Sequence, residues 1–234
     1  GVDTIFGYSG GAILPTYDAV FRWNQDEAAR AAGKPMPLIV PANEQGAGFM
    51  AAGYARASGR VGVVMVTSGP GATNTVTPVR DCMADSTPIL VICGQVPTPA
   101  IGTDAFQEAP VSSCLGPVAN HTFLVTDPAK LEAIVRTAFE IARTGRPGPV
   151  VIALPEAMLV ERAVVPDAAA FEPVEIWPGA TEMRRLQKLL WAAKRPIALI
   201  GGSRWSEDAC ARLARFAERF ALPVATTFRR GHLF

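Results

Sequence analysis

Short apolar runs alternate with amphipathic stretches along the first two thirds of the chain. The runs at residues 4–8, 38–42, 62–67, 89–93 and 150–154 have the length and the β-rich content of strands. The run GVVMVT at 62–67 is almost entirely apolar, as expected for a strand that is covered on both faces. Strands that alternate with helices favour right-handed crossovers and a parallel sheet. We therefore expect an α/β fold, a parallel sheet sandwiched by helices.

Amphipathic stretches between these runs predict the connecting helices. Three of them cover residues 11–21, 45–57 and 72–84. The clearest helix follows Asp127, a capping residue, and ends before Gly145. Residues 95–118 have no clear period and are expected to form a long irregular segment, which in a compact domain is often functional.

The pattern changes after residue 155. Residues 156–180 are rich in proline and acidic residues and have no helical period, which predicts an interdomain linker. The α/β alternation then restarts over residues 181–234. Its predicted elements are helices at 181–194 and 206–220 and strands at 197–200 and 224–227. Two strands cannot bury their own faces, so we expect one domain over residues 1–155 and, after the linker, the incomplete start of a second domain.

Composition excludes two classes of partner. Apolar residues make up 49% of the chain, and 22 basic against 21 acidic residues give a net charge of +1. No basic run with interleaved aromatic residues occurs, so we expect no nucleic acid partner. No apolar stretch approaches the roughly 20 residues that span a bilayer, so we expect no membrane partner.

The cysteines, the histidines and the chain ends bear on compartment and metal binding. None of the four cysteines lies in a C-x-x-C pair, which favours free thiols in a reducing compartment, and we expect a cytoplasmic protein. With only two histidines, no metal site is expected. The chain begins at Gly1 without a methionine, so it reads as a fragment, and an organellar address stays open.

Three glycine-containing loops are predicted at the carboxyl ends of strands, where parallel sheets bind ligands. They cover residues 7–12, 43–48 and 68–73. Glu44, in the second loop, could share a proton with a ring nitrogen, or it could simply complement a helix dipole. In the irregular segment, Phe106 and Gln107 could offer an apolar wall and an amide donor to a small acid, or belong to a surface excursion. Neither a P-loop nor a dinucleotide fingerprint is present.

Five stretches together resemble the acetolactate synthase family, and they occur in the family's order. They are GYSGGAILPTYDA (7–19), EQGAGFMAAGYARASG (44–59), VTSGPGATNTVTP (66–78), GQVPTPAIGTDAFQE (94–108) and TGRPGPVVIALP (144–155). The resemblance covers most of residues 1–155 and is looser beyond. It implies a pyrimidine-binding domain of the thiamine-diphosphate enzymes, followed by the start of a Rossmann-like middle domain.

The resemblance also implies roles for individual residues. Glu44 matches the family's catalytic glutamate, which holds the aminopyrimidine ring of thiamine diphosphate, and Gly11 and Gln107 match positions near the reacting carbon. Phe106 and Gln107 match substrate positions. The cofactor-binding positions implied are Glu44, Gly10, Gly11, Pro70, Asn74, Gln95, Gly201 and Gly202. Gln95 and the Gly201–Gly202 turn match positions near the family's flavin, FAD.

The family's reaction joins pyruvate to a second 2-keto acid in branched-chain amino acid biosynthesis. Its Gly-Asp-Gly motif, which binds diphosphate and Mg²⁺, does not occur here, so no metal ligands are expected in this chain. The resemblance implies a homodimer or tetramer with the active site between subunits. These 234 residues are expected to be inactive alone.

Several positions depart from the family pattern. Ser9 stands in place of Pro, Asn43 in place of His and Asn120 in place of Lys, and the likeness breaks down over residues 109–116. These departures leave substrate choice and flavin binding open. The alternatives are a related thiamine-dependent decarboxylase or acyltransferase, and a non-catalytic fragment.

Overall fold

Six strands form one parallel sheet in the computed structural model, which describes residues 2–166 and 176–234. They are β1 (Ile5–Tyr8), β2 (Leu38–Ile39), β3 (Gly62–Val66), β4 (Ile89–Gln95), β5 (His121–Leu124) and β6 (Val150–Pro155). Their spatial order is β2-β1-β3-β4-β6-β5, so β3 lies inside the sheet, where Val64 pairs with Phe6 and Val91. This arrangement confirms the predicted α/β fold class.

Helices cover both faces of this sheet. They are α1 (Leu14–Gln25), α2 (Glu27–Ala31), α3 (Glu44–Ser58), α4 (Pro70–Thr73), α5 (Val76–Asp85), α6 (Val111–Leu115), α7 (Leu131–Arg143) and α8 (Glu156–Leu159). Alternate residues of β3 point to opposite faces: Val64 belongs to an apolar cluster with Ala51 and Val79, whereas Met65 belongs to a second cluster with Ile152. Both faces of β3 are therefore buried, as its apolar sequence predicted.

Helix α3 begins and ends at well-defined capping residues. The side chain of Asn43 accepts a hydrogen bond from the amide of Gly46 at 2.7 Å, and Gly59 ends the helix with φ 70°. Its buried face carries small residues such as Ala51, which let the helix approach the sheet closely. A side chain at Gly62 would overlap the carbonyl of Ala51. Small residues at this contact thus fix the position of the helix that Glu44 begins.

The structure differs from the predicted elements in three places. The helix predicted at 72–84 is divided into α4 and α5, because Asn74 and Thr75 interrupt it. Strand β5 was not predicted; it is a short edge strand whose residues His121 and Leu124 are exposed, so it lacks the apolar run of a central strand. The strand predicted at 38–42 has only two residues in the sheet.

The chain divides into two units, Gly1–Pro173 and Val174–Phe234. Helix α8 occupies the first residues of the predicted linker, and its Met158 is buried in the core of the first unit. Residues 167–175 of that linker lie outside the described residues. The second unit contains α9 (Ala180–Ala192), β7 (Ala198–Ile200), α10 (Glu207–Phe220) and β8 (Val224–Thr226). Strands β7 and β8 pair in parallel.

Across the described ranges 2–166 and 176–234, no helix is both long enough and apolar enough to cross a membrane. All four cysteines are free thiols. Cys82 and Cys93 are buried, and burial raises the pKa of each thiol to about 12. Cys114 and Cys210 are only half-buried.

These environments predict which thiols react in the folded protein. Iodoacetamide at about pH 8 should modify Cys114 and Cys210 and leave Cys82 and Cys93 intact, because a buried thiol with a raised pKa supplies almost no thiolate. Peptide mass spectrometry of the alkylated protein measures this. In denaturant all four should react. Modification of Cys93 as fast as Cys114 under native conditions would contradict the packing described.

Candidate active site

The carboxyl ends of four neighbouring strands bring the candidate residues together. Strands β2, β1, β3 and β4 are adjacent in that order, and the segments that follow them lie at one edge of the sheet. The segment after β2 leads to Glu44, and the segment after β1 contains Gly10 and Gly11. The segment after β3 leads to Asn74, and the segment after β4 carries residues 96–109. The sheet therefore assembles residues that are distant in sequence.

Glu44 is the central carboxylate of this edge. It is the first residue of α3 and is half-buried. The Asn74 side chain donates a hydrogen bond from Nδ2 to Oε2 of Glu44 at 2.9 Å. Within the described residues, Oε1 of Glu44 accepts no hydrogen bond. One oxygen is thus fixed by the protein, and the other is available to a ligand.

Two further residues close to Glu44 are Gly71 and Tyr17. A Cβ at Gly71 would overlap Cγ2 of Thr67 at 2.7 Å, so packing requires glycine there, and it would lie 3.7 Å from Oε1 of Glu44, an ordinary van der Waals distance. Tyr17, on α1, donates from its hydroxyl to the carbonyl of Met65 at 2.8 Å. Burial, and next to it the charge of Glu44, raise the pKa of Tyr17, so the phenol stays protonated and adds no charge.

Gly10 and Gly11 begin a short 3-10 turn, Gly11–Ile13, before α1. The two glycines differ in their surroundings. A Cβ at Gly10 would lie 2.6 Å from Cβ of Thr67, whereas a Cβ at Gly11 would meet no atom within 4 Å. Gly10 is therefore required for packing between two loops, while Gly11 faces open space that a ligand could occupy.

The segment after β4, residues 96–109, is closed at its base by Gln95. This buried side chain accepts a hydrogen bond from the amide of Val96 at 2.8 Å and donates one to the carbonyl of Ala109 at 2.9 Å. Phe106, near the tip, is 89% exposed. Gln107 has φ 57° and its carbonyl packs against Gly69, which has φ 51°. The segment thus borders the loop that leads to Asn74.

Two predicted cofactor residues, Gln95 and Gly201, also make hydrogen bonds within the chain, and their role toward a flavin stays a prediction. The buried side chain of Gln95 makes two hydrogen bonds within the chain, one accepted by Oε1 and one donated by one of the two N–H groups of Nε2. In the second unit, the carbonyl of Gly201 accepts a hydrogen bond from Nε1 of Trp205 at 2.9 Å, and a side chain at Gly201 would overlap Thr227. Gly202 has φ 80° and an open surrounding. Pro70 is exposed at the start of α4.

Sequence reasoning did not single out three residues that shape this edge of the sheet. Tyr17 lies in the GYSGGAILPTYDA stretch, but a tyrosine within a predicted helix does not by itself indicate a functional role. Gly69 lies in a loop that was recognised, although its contact with Gln107 depends on tertiary structure. Glu108 accepts hydrogen bonds from the amides of Gly102 and Ala105. In the sequence, only its closeness to Gly102 could have indicated this role.

Comparison with known proteins identifies two consecutive families along the chain. Residues 1–113 match the N-terminal thiamine pyrophosphate binding domain of the thiamine pyrophosphate enzymes, and residues 183–234 match their central domain. The acetolactate synthase catalytic subunit of Aspergillus candidus is 42% identical over 98% of this chain. The large subunit of Parasynechococcus marenigrum is 44% identical over 97%, and a probable large subunit of Methanocaldococcus jannaschii is 40% identical over 97%. The chain spans 34%, 37% and 38% of these relatives.

The contrast between the two glycines predicts a pair of variants with different stabilities. Gly10→Ala should lower the free energy of unfolding by about 1–3 kcal/mol, because its methyl group overpacks against Thr67. Gly11→Ala should change it by no more than about 0.5 kcal/mol, because the methyl group enters open space. Urea denaturation of both variants measures this. Equal destabilisation would show that Gly11 also packs against the protein.

Proposed function

The chain belongs to the thiamine-diphosphate enzymes, and from that premise we propose that it forms the pyrimidine-binding part of an enzyme of the acetolactate synthase type. The proposed reaction joins pyruvate to a second 2-keto acid. Relatives with the printed name acetolactate synthase, matched over nearly the whole chain, support this choice over a decarboxylase. The observation that carries the proposal is Glu44, with one oxygen fixed by Asn74 and the other free.

The residues around Glu44 fit an aminopyrimidine ring. Such a ring needs a carboxyl group beside one ring nitrogen and open space for its edge. Oε1 of Glu44 accepts no hydrogen bond from the described residues and is free for the first purpose. Open space at the same edge of the sheet lies beside Gly11, where a Cβ would meet no atom within 4 Å. When bound, thiamine diphosphate supplies the electron-accepting ring that decarboxylation and carbon–carbon bond formation require.

The chain itself contributes position and proton control. Asn74 holds Oε2, so the carboxyl group presents Oε1 in one orientation. A proton held between Oε1 and a ring nitrogen would let Glu44 act as a general acid toward the ring. Tyr17 stays protonated and bonded to Met65, so it does not compete for that proton. Gly11 leaves open space at the same edge, where a small keto acid could approach.

We place the protein in a reducing compartment such as the cytoplasm, where its four free cysteines would persist. We also propose that the helix beginning at Glu44 packs against a second copy of the protein in a homodimer or tetramer. Phe49 and Met50 on that helix are 41% and 44% exposed, and large apolar side chains beside a site often mark an interface.

Replacing Glu44 with Gln tests the proposed chemistry in the enzyme that contains this chain. Gln can occupy the same space but cannot supply an acid, so C2 proton exchange of bound thiamine diphosphate should slow by about 10²–10⁴. Hydrogen–deuterium exchange followed by NMR measures this. Wild-type exchange in a folded Glu44→Gln enzyme would remove Glu44 from the catalytic role.

Two further variants separate catalysis from helix stabilisation. Glu27 is also the first residue of a capped helix, so Glu27→Gln removes the same local charge without touching the site. It should cost about 0.3–1 kcal/mol of stability and leave C2 exchange unchanged. Asn74→Ala keeps the carboxyl group but loses its fixed orientation. Its C2 exchange should fall between those of the wild type and Glu44→Gln.

The proposed interface predicts a change in association state. Phe49→Glu should shift the protein toward monomer, because a charge would be buried where an apolar side chain was. Phe21→Glu is the matched control, since Phe21 is 62% exposed on a different helix, α1. Analytical ultracentrifugation over a range of concentrations decides between them. Equal association of both variants would exclude this helix from the interface.

A further inference from the structure

Residues 96–109, which we call the Phe106 loop, have a defined shape although they contain little regular structure. One 3-10 turn, Thr98–Ala100, is followed by tight turns in which Gly102, Asp104 and Gln107 have positive φ. Left-handed backbone is unfavourable for residues other than glycine, so the conformation at Asp104 and Gln107 needs support from elsewhere in the loop.

Glu108 provides that support from inside the loop. Its Oε1 accepts a hydrogen bond from the amide of Gly102 at 2.6 Å, and its Oε2 accepts one from the amide of Ala105 at 3.3 Å. Its own amide donates to the carbonyl of Ala105 at 2.9 Å. The amide of Gly102 is the largest cause that lowers the pKa of the Glu108 carboxyl; burial opposes it, and the amides of Ala105, Asp104 and Thr103 add smaller lowering effects. The loop therefore folds around an ionised carboxylate.

The shape of the loop reaches the Glu44 site through one backbone contact. The carbonyl of Gln107, the residue before Glu108, packs directly against Gly69. Gly69 precedes α4, and the chain after α4 continues to Asn74, which holds Glu44. This contact thus places the Phe106 loop beside the segment that leads to the candidate active site.

We propose that Glu108 is a positioning residue. This proposal rests on the proposed function. Among the described residues, it makes no hydrogen bond to Glu44 or Asn74. It holds the turns of the Phe106 loop in which the backbone of Gln107 packs against Gly69 and the side chain of Phe106 is exposed. Loss of the carboxylate should leave Glu44 and its proton transfer intact. The Phe106 loop, which we propose borders the keto acid, should become more mobile.

Amide hydrogen exchange of this chain tests the structural half of the proposal. In Glu108→Ala, peptides that cover residues 98–108 should exchange about tenfold faster than in the wild type, because two amides lose their acceptor. Glu108→Gln retains one acceptor oxygen and should give an intermediate rate. Asp26→Asn is the matched control, since Asp26 also accepts from a backbone amide, that of Ala29 at 2.8 Å. Its effect should stay within α2. Unchanged exchange of the loop in Glu108→Ala would overturn the proposal.

Kinetics of the enzyme that contains this chain test the functional half. Glu108→Ala should raise KM for pyruvate by about tenfold, with C2 exchange of bound thiamine diphosphate at the wild-type rate. Glu108→Gln should recover part of the loss, and Asp26→Asn should change neither quantity. An unchanged KM despite a loosened loop, or a C2 exchange rate that falls as in Glu44→Gln, would refute the positioning role. Absence of C2 exchange in the wild type would instead refute the proposed function, and the amide exchange result would still stand.

Discussion

The common direction of the six strands is the constraint on which the candidate site depends. In a parallel sheet all strands end at one edge, and each must be followed by a crossover before the next begins. Because the spatial order β2-β1-β3-β4 differs from the sequence order, segments that are far apart along the chain become neighbours. Glu44 and Asn74, which are 30 positions apart, meet because α3, which Glu44 begins, packs on both β1 and β3, and Asn74 lies in the segment after β3. The site belongs to the sheet edge and to no single segment.

The candidate site also requires that backbones of different loops approach closely, and glycine allows this at the points of contact. The Phe106 loop can lie against the loop after β3 only because Gly69 has no side chain where the Gln107 carbonyl sits. Likewise, a Cβ at Gly94 would come within 2.8 Å of the Ala12 carbonyl. Gly11 is different, since no protein atom requires it. Because Gly11 lies at the carboxyl edge of the sheet, its open surroundings are a place where a ligand could bind.

The sequence predicted the parts of the fold in which local pattern and tertiary environment agree. Strand β3 is apolar throughout and is buried throughout, and α3 (Glu44–Ser58) covers the helix predicted at 45–57. Strand β5 was missed because an exposed edge strand does not need an apolar run. The role of Gln95 was also beyond prediction, because its two partners, Val96 and Ala109, show only in the folded loop.

Glu44 and Glu27 show what a local sequence pattern can predict about a carboxylate and what it cannot. Each is the first residue of a helix, and each follows an Asn or Asp whose side chain accepts a hydrogen bond from the third helical amide. Helix-dipole chemistry explains both carboxylates equally well. What separates them comes from the segment after β3: Asn74 fixes one oxygen of Glu44 and leaves the other without a hydrogen bond among the described residues. A capping pattern thus supplies the carboxylate, and the topology of the sheet supplies the surroundings that make it a candidate for proton transfer.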